Sequence, residues 1–221
     1  MSGGTDRGEV TPLIAADARA MLAAAIGNAA TDRPGDRLAA LFRVALTLGL
    51  RQGEVLGLRW QDVDLNAGCL HVRHALQRIE GVLILKEPKT EKSRRTLRLP
   101  ASVVAAIRAH RVRQIEERLV AGSRWRDTGH VFATTIGTPL DPRNVIRAWH
   151  RLLAEAGVER RPFHTCRHTA ASLLLAEGVP LKVVQEVLGH SLLSTTADIY
   201  SHLTPAAFQE AADAMDRALV G

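Results

Sequence analysis

Tyr200 is the only tyrosine among the 221 residues of the chain. It stands in a run that begins at residues 188–191 (Leu-Gly-His-Ser) and ends at residues 198–202 (Asp-Ile-Tyr-Ser-His). A phenol, with a pKa of about 10, attacks poorly while protonated, so a nucleophilic tyrosine needs a nearby base and cations around its target. Candidate bases and cations occur upstream, at residues 49–54 (Gly-Leu-Arg-Gln-Gly-Glu) and 164–168 (His-Thr-Cys-Arg-His).

Arg51 and Arg167 are the candidate ligands of a phosphate. Phosphoryl transfer builds negative charge on the non-bridging oxygens, and planar guanidinium groups can hydrogen-bond such oxygens in a fixed geometry. Most arginines are solvated surface charges, but apolar residues flank both of these in the sequence, and a charge in that setting needs an anion or an acidic partner. Glu54 can supply such a partner for Arg51, because the two are one helical turn apart.

His164 and Arg167 are spaced i, i+3 on a predicted helix and so project from one face. Histidine titrates in the range that acid–base chemistry requires, and a helix N-terminus favours phosphate. The i, i+4 spacing of His164 and His168 leaves a zinc-stabilised helical domain as an alternative, with Cys166 and His190 as further ligands. We rank it lower, since neither a second cysteine pair nor a His-Glu-x-x-His helix is present. His168 is assigned a supporting role, and no metal is expected.

Basic residues crowd the segment 86–98, which contains six of them against two acidic ones. The chain carries a net charge of +6, and its pI is about 10.1, so a polyanionic partner is plausible. We predict that five of these residues contact the phosphates of a nucleic acid: Lys86, Lys92, Arg94, Arg95 and Arg98. Binding of this kind weakens steeply with salt.

The predicted elements are mostly helices, with one group of strands between them. Helices are expected at residues 15–26, 37–48, 54–58, 102–120, 142–156, 164–177, 181–188 and 194–200, with a last one from residue 204. Strands are expected at 69–76, 82–86 and 96–99. This pattern predicts an α+β fold that is mainly α, with a small three-stranded antiparallel sheet. The last helix carries an apolar face of Phe208, Ala212, Met215 and Leu219, which must be buried against its own domain or a neighbour.

Length and composition indicate one sizeable globular domain with a hydrophobic core. Residues 1–10 are expected to be a flexible leader or a cloning junction, and residues 11–221 the domain. Cys69 and Cys166 are far apart in sequence, which argues against a disulfide framework and favours a reducing compartment. No apolar run approaches the roughly 20 residues of a membrane span, and no secretory signal opens the chain. We therefore expect a soluble cytoplasmic protein with no membrane partner.

The order of Arg51, Lys89, residues 164–167, His190 and Tyr200 resembles that of the tyrosine recombinases, or phage integrases, which cut and rejoin DNA. The resemblance runs from about residue 13 to the end of the chain. It implies the helical catalytic domain of these enzymes. It also implies that the tyrosine attacks a scissile phosphate, leaving a 3′-phosphotyrosyl link and a free 5′-hydroxyl.

The resemblance also assigns roles to the other residues. His164 becomes the base for the tyrosine proton, Lys89 the general acid that protonates the departing 5′-oxygen, and His190 a hydrogen-bond donor to a phosphate oxygen. No metal or nucleotide cofactor takes part. Thr165 and Cys166 depart from the usual acidic or basic residue and leucine, but neither change removes a reactive group.

Family members usually carry a further N-terminal helical domain that closes around DNA, so the chain is expected to be either the catalytic part of a longer enzyme, which we favour, or a minimal enzyme. The implied partners are double-stranded DNA, other protomers in a tetramer on that DNA, and accessory DNA-bending proteins. A phage or mobile-element integrase is favoured over a chromosome-dimer resolvase. The alternatives are a type IB topoisomerase, which relaxes DNA without joining different duplexes, and a DNA-binding fragment with no activity of its own.

Overall fold

A computed structural model describes residues 11–27, 35–87, 94–189 and 205–220. Its eight helices are α1 (Ala15–Ile26), α2 (Ala39–Leu48), α3 (Gln52–Leu56), α4 (Ala101–Ala121), α5 (Pro142–Glu155), α6 (Thr165–Ala176), α7 (Leu181–Leu188) and α8 (Pro205–Val220). Its strands are β1 (Val63–Asp64), β2 (Cys69–Val72), β3 (Ala75–Ile79), β4 (Val82–Lys86) and β5 (Arg95–Arg98). None of the helices in these ranges is long and apolar enough to cross a membrane.

Helix α2 lies at the centre of the core. From Ala40 onward every residue of α2 except Arg43 is buried, and the helix packs against α1, α4 and α6. Phe42 of α2 contacts Trp149 of α5 at a ring-centroid distance of 5.9 Å, and Trp149 contacts Phe163 at 5.5 Å. Because α2 is enclosed in this way, the backbone at its C-terminal end, where residues 49–51 follow, is held in place by the core.

The strands form a three-stranded antiparallel sheet in the order β1-β2-β5 and a separate hairpin of β3 and β4. The predicted mainly helical α+β fold with a small antiparallel sheet is therefore confirmed. The strand predicted at 69–76 is interrupted, because Arg73 and His74 turn towards the buried carboxylate of Asp62, at 3.2 and 3.4 Å. The short strand β1, which was not predicted, completes the sheet.

Most predicted helices are present, with small shifts at their ends. Helix α3 begins at Gln52, two residues earlier than expected, because the extended Arg51 acts as its N-cap residue and Glu54 bonds back to it. Helix α2 begins two residues later than expected, and α6 begins one residue later, at Thr165. The helix predicted at 194–200 lies outside the described residues.

Helix α8 packs on its own domain. It contacts α1, α4, α6, α7 and β5. Ala212, Met215 and Leu219 of the predicted apolar face are buried, and Phe208 is partly buried. Asp216 accepts a hydrogen bond from the Ser102 hydroxyl at the start of α4. The apolar face of the last helix is thus covered within the chain.

Replacing Trp149 tests the central packing. We expect Trp149→Ala to lower the free energy of unfolding by about 3–5 kcal/mol, because it removes a fully buried ring from contact with two phenylalanines. Leu119→Ala is the control, since this side chain is 76% exposed and its loss should change stability by less than about 0.5 kcal/mol. Urea unfolding followed by circular dichroism measures both, and equal midpoints would contradict the described core.

Candidate phosphate-binding site

Arg51 is anchored on one side and open to solvent on the other. Its backbone N–H donates to Oε2 of Glu54 at 3.0 Å, and its Nη1 donates to Oε1 of the same carboxylate, also at 3.0 Å. The side chain of Glu54 is only 7% exposed, whereas that of Arg51 is 45% exposed. The carboxylate therefore orients the guanidinium group from inside while leaving its outer edge able to meet an anion.

Gly49 brings the end of α2 into direct contact with α6 and α7. Its φ of +59° is a left-handed conformation that favours glycine. A Cβ at this position would lie 2.3 Å from Cδ2 of Leu188 and 3.1 Å from Cβ of Ala170. The absence of a side chain allows the backbone that leads into Arg51 to pass beside Arg167, whose Cα is also within contact distance.

Arg167 lies in the first turn of α6 and is 3% exposed. Its Nη1 donates to the carbonyl oxygen of Gly49 at 3.0 Å, while Nη2 is buried and has no hydrogen-bond partner among the described residues. Burial first, and then the positive charges of Arg51 and Arg95, lower the pKa of Arg167 to about 10, against the opposing effect of Glu54. The group remains protonated at neutral pH. A buried donor of this kind is costly unless an acceptor reaches it.

Arg95 completes the cluster from the side of the sheet. Its side chain is 8% exposed, and Nη2 and Nη1 donate to Oε2 and Oε1 of Glu54 at 3.0 and 3.3 Å. Burial raises the pKa of Glu54. The hydrogen bond and charge of Arg95, followed by those of Arg51, lower this pKa, and together they outweigh burial, so the net direction is downward. Two guanidinium groups thus bind one ionised carboxylate, and with the charge of Arg167 nearby the cluster is net positive.

His164 precedes α6 and is exposed at the same end of the helix as Arg167. Its ring contacts that of His168 edge to face, with centroids 4.9 Å apart. Partial burial, followed by the charges of His168, Arg167 and Arg51, lowers the pKa of His164. The imidazole is therefore mainly neutral at neutral pH, which is the state in which it can accept a proton.

The structure thus brings together Arg51, Glu54 and Arg167, which the sequence analysis had grouped, with His164 and His168 beside Arg167 at the start of α6. It adds Arg95, which the sequence had grouped with the DNA-contacting residues. That contact stays a prediction, but the guanidinium points into the domain. The inward-facing Leu97, two residues further along β5, is the signal that could have located it, since alternate residues of a strand share a face.

The remaining predicted DNA contacts differ in their surroundings. Lys86 and Arg94 are exposed, and Arg94 pairs with Glu87. Arg98 is exposed and donates to the carbonyl of Ala67 at 3.0 Å. An open groove of about 320 Å³ is formed by β2, β5 and residues next to them, with a lining that is mainly basic: His71, Val72, Arg73, His74, Glu87, Arg94, Arg95 and Thr96.

Four predicted site residues lie outside the described residues: Lys89, Lys92, His190 and Tyr200. In the part of the chain that the structure describes, no three His, Cys, Asp or Glu side chains lie close enough to hold a metal ion. Cys166, beside Arg167, is fully buried, and burial raises the pKa of its thiol well above the ordinary value. It behaves as a small apolar side chain.

Comparison with known proteins gives consistent matches. A model of the phage integrase family matches residues 15–207. The chain is 42% identical over 183 residues to a tyrosine recombinase XerC-like protein of Caldanaerobacter subterraneus subsp. tengcongensis, a match that covers 77% of this chain and 47% of that relative. It is 36% identical over 201 residues to an integrase of Streptomyces ambofaciens, covering 88% and 51%. The chain spans about half the length of these relatives.

A solved structure of the Tn1549 transposon integrase in complex with transposon right end DNA aligns with 99% of this chain and 69% of that chain. The TM-score is 0.70 and the sequence identity is 24%, so this match shows a shared fold.

The buried carboxylate of Glu54 predicts a pH dependence of stability. Its pKa is depressed in the folded state, so its stabilising contribution is present above the unfolded value near 4.5 and is lost as the pH falls through the folded value. We expect Glu54→Gln to lower the free energy of unfolding near neutral pH by about 3–5 kcal/mol, because it leaves the buried Arg95 guanidinium without its anionic partner. The loss should shrink in acid.

Urea unfolding of wild type and Glu54→Gln across this pH range measures the effect. Glu210→Gln is the matched control, because Glu210 is exposed on α8. A wild-type stability that is no more acid-sensitive than that of Glu54→Gln would contradict the ionised, arginine-bound state of this carboxylate.

Proposed function

The chain belongs to the phage integrase family of tyrosine recombinases, and from this membership we propose that it cuts and rejoins DNA with Tyr200 as its nucleophile. The observation that carries the proposal is the presence of two arginines at one site. Arg51 is open to solvent, and the buried Nη2 of Arg167 has no partner within the described residues. Two guanidinium groups held by backbone and carboxylate contacts are suited to the non-bridging oxygens of one phosphate.

The proposed first step is a transesterification at phosphorus. The Tyr200 phenol gives its proton to His164, and its oxygen bonds to the scissile phosphorus. The bond from phosphorus to the 5′-oxygen breaks, and Lys89 protonates that oxygen as it leaves. His190 donates a hydrogen bond to a phosphate oxygen, as do the two arginines. The products are a 3′-phosphotyrosyl link and a free 5′-hydroxyl.

The second step reverses the first with a different strand. A 5′-hydroxyl of the partner duplex attacks the phosphotyrosine, and its proton passes to Lys89, which acted as the acid in the first step. The Tyr200 phenol then leaves with a proton from His164, which acted as the base. Each step exchanges one phosphoester bond for another, so no external energy source is needed. The lowered pKa of His164 supports its part, since a neutral imidazole is available near neutral pH.

The biological setting proposed for the chain follows from its relatives. Residues 11–221 would form a catalytic domain that acts on double-stranded DNA in the bacterial cytoplasm, in a tetramer of protomers and with accessory DNA-bending proteins. Relatives named as integrases, such as that of Streptomyces ambofaciens, support a phage or mobile element as the source. Strand exchange, in the form of integration or excision, is the activity proposed.

Covalent capture on nicked suicide substrates tests the nucleophile. We expect wild type to form a protein–DNA adduct that is absent in Tyr200→Phe. Arg167→Ala should slow adduct formation by about 100- to 1,000-fold, the usual loss when a donor to a developing anionic charge is removed. Arg217→Ala is the control, because Arg217 forms an exposed ion pair with Glu177, at the opposite end of α6 from Arg167.

Denaturing gels report the adduct, and equal adduct in wild type and Tyr200→Phe would show that another residue attacks. Relaxation of supercoiled DNA by monomers, with no joining of different duplexes, would favour the topoisomerase alternative. Binding without an adduct would favour a DNA-binding fragment.

The salt dependence of DNA binding tests the exposed arginines beside the groove. If Arg94 and Arg98 each neutralise one backbone phosphate, then Arg94→Gln and Arg98→Gln should each reduce the slope of log Kd against log salt by about 1. The loss of affinity should be similar for unrelated sequences, since phosphate contacts carry no sequence information. Fluorescence anisotropy over a salt series measures the slope, and an unchanged slope in both variants would remove these residues from the DNA interface.

A further inference from the structure

Arg95 joins three separate parts of the fold. It is the first residue of β5, its side chain is nearly enclosed, and both of its terminal nitrogens donate to the carboxylate of Glu54 on α3. Its Nε donates to the carbonyl oxygen of Val187, in the last turn of α7, at 2.9 Å. One planar side chain thus connects the sheet with two helices.

The contact with Val187 satisfies a group that the helix itself leaves unpaired. The last carbonyls of an α-helix have no intrahelical donor, and a cation at this end is favoured by the helix dipole. The guanidinium group also lies against Gly189, because a Cβ there would be 3.0 Å from Nη1, 3.1 Å from Cζ and 3.2 Å from Cδ of Arg95. The C-terminal end of α7 is therefore packed directly on this side chain.

The contact with Glu54 reaches Arg51 through a shared carboxylate. Each oxygen of Glu54 accepts from both arginines: Oε1 from Nη1 of each, and Oε2 from Arg95 Nη2 and the Arg51 backbone N–H. Among the groups that keep Glu54 ionised, Arg95 contributes more than Arg51. Removing the Arg95 guanidinium would leave the Glu54 carboxylate without its main counter-charge and free to shift. The solvent-exposed Arg51 guanidinium, which is bound to this carboxylate, would shift with it.

We propose that Arg95 is a positioning residue for the phosphate site, which holds Arg51 through Glu54 and holds the end of α7 through Val187 without itself contacting DNA. The proposal rests on the function proposed above, since it assigns Arg95 to the same site. It distinguishes Arg95 from Arg94 and Arg98, which are exposed on either side of it in sequence. The geometry differs from that of a surface contact because the guanidinium is committed to a carboxylate and a carbonyl.

Two other roles make different predictions for the same variants. A direct phosphate contact would lower the salt slope of DNA binding by about 1 when Arg95 is removed. A purely structural ion pair would lower stability and leave the chemistry of the folded protein intact. A positioning role lowers the rate of cleavage at saturating protein, while the DNA affinity and the salt slope remain those of wild type.

The experiment compares Arg95→Gln and Arg95→Lys with a matched control, Arg37→Gln. Arg37 forms a similar two-pronged pair with Glu117, at 2.5 and 2.6 Å, but links α4 to the turn before α2, away from the site. Adduct formation on nicked DNA is measured in single turnover at saturating protein, at a temperature where thermal unfolding shows every variant to be folded. DNA affinity is measured over a salt series on the same samples.

We expect Arg95→Gln to slow adduct formation by roughly 100-fold, the scale of a displacement of about 1 Å at a reacting centre. Arg95→Lys should recover part of the rate, because it keeps the charge but loses the planar fork, and it also serves if the glutamine variant does not fold. Arg37→Gln should lose stability without losing rate. A double variant with Glu54→Gln should be no slower than the slower single variant, since the two residues act as one unit.

Equal rates in wild type and Arg95→Gln would overturn the proposal, as would a salt slope reduced by about 1, which would indicate direct phosphate contact. Additive losses in the double variant would show that Arg95 does not act through Glu54, and would also overturn it. Absence of an adduct in wild type is a different result: it would overturn the proposed function, and the positioning role with it.

Discussion

The structure around the candidate site depends on one buried carboxylate. Glu54 is the anion around which Arg51 and Arg95 are arranged, and its charge partly offsets that of Arg167. Burying an isolated carboxylate at this depth would carry a large desolvation cost, as would burying unpaired guanidinium groups. Together they form a cluster in which only the positive charge is left in excess. An anionic phosphate can neutralise this excess of positive charge. The same charge balance therefore stabilises the cluster and favours a phosphate as its ligand.

Packing converts this charge balance into a fixed geometry. The left-handed Gly49 lets the end of α2 lie against Leu188 of α7 and Ala170 of α6, and Arg167 then bonds to the Gly49 carbonyl. A side chain at residue 49 would strain the left-handed backbone and would require Leu188 and Ala170 to shift, next to the carbonyl that Arg167 binds. The positions of the guanidinium groups are therefore set by the apolar core, in which α2 is almost completely buried.

Local sequence patterns predicted the part of the site that local spacing controls. Arg51 and Glu54 are one helical turn apart, and Arg167 follows His164 by the same interval, so their grouping could be read from the chain. Strand alternation with Leu97 could have indicated that Arg95 faces inward, but its partners could not be read from local spacing, because they are a carboxylate 41 residues away and a carbonyl 92 residues away. A cluster of basic residues predicts exposed side chains unless the buried partner of one of them is known.

The same distinction explains the differences in the fold. The sequence located α1, α2 and α4 to α8, because each of these helices is a continuous segment whose apolar residues can be recognised locally. The interruption between β2 and β3 escaped prediction, since it arises where Arg73 and His74 meet the buried Asp62, a contact formed only when the chain has folded back. Contacts between residues distant in sequence decided both this break and the placement of Arg95.

Arg95 also relates the proposed phosphate ligands to the sequence around the other proposed catalytic residues. Arg51 and Arg167 belong to elements packed into the core, and His164 lies at the start of the same helix as Arg167. Lys89 precedes Arg95 by six residues in the sequence, and His190 follows α7, whose Val187 carbonyl Arg95 binds. The positioning role proposed for Arg95 therefore acts on the ends of β5 and α7, the described elements that follow Lys89 and precede His190 in the sequence.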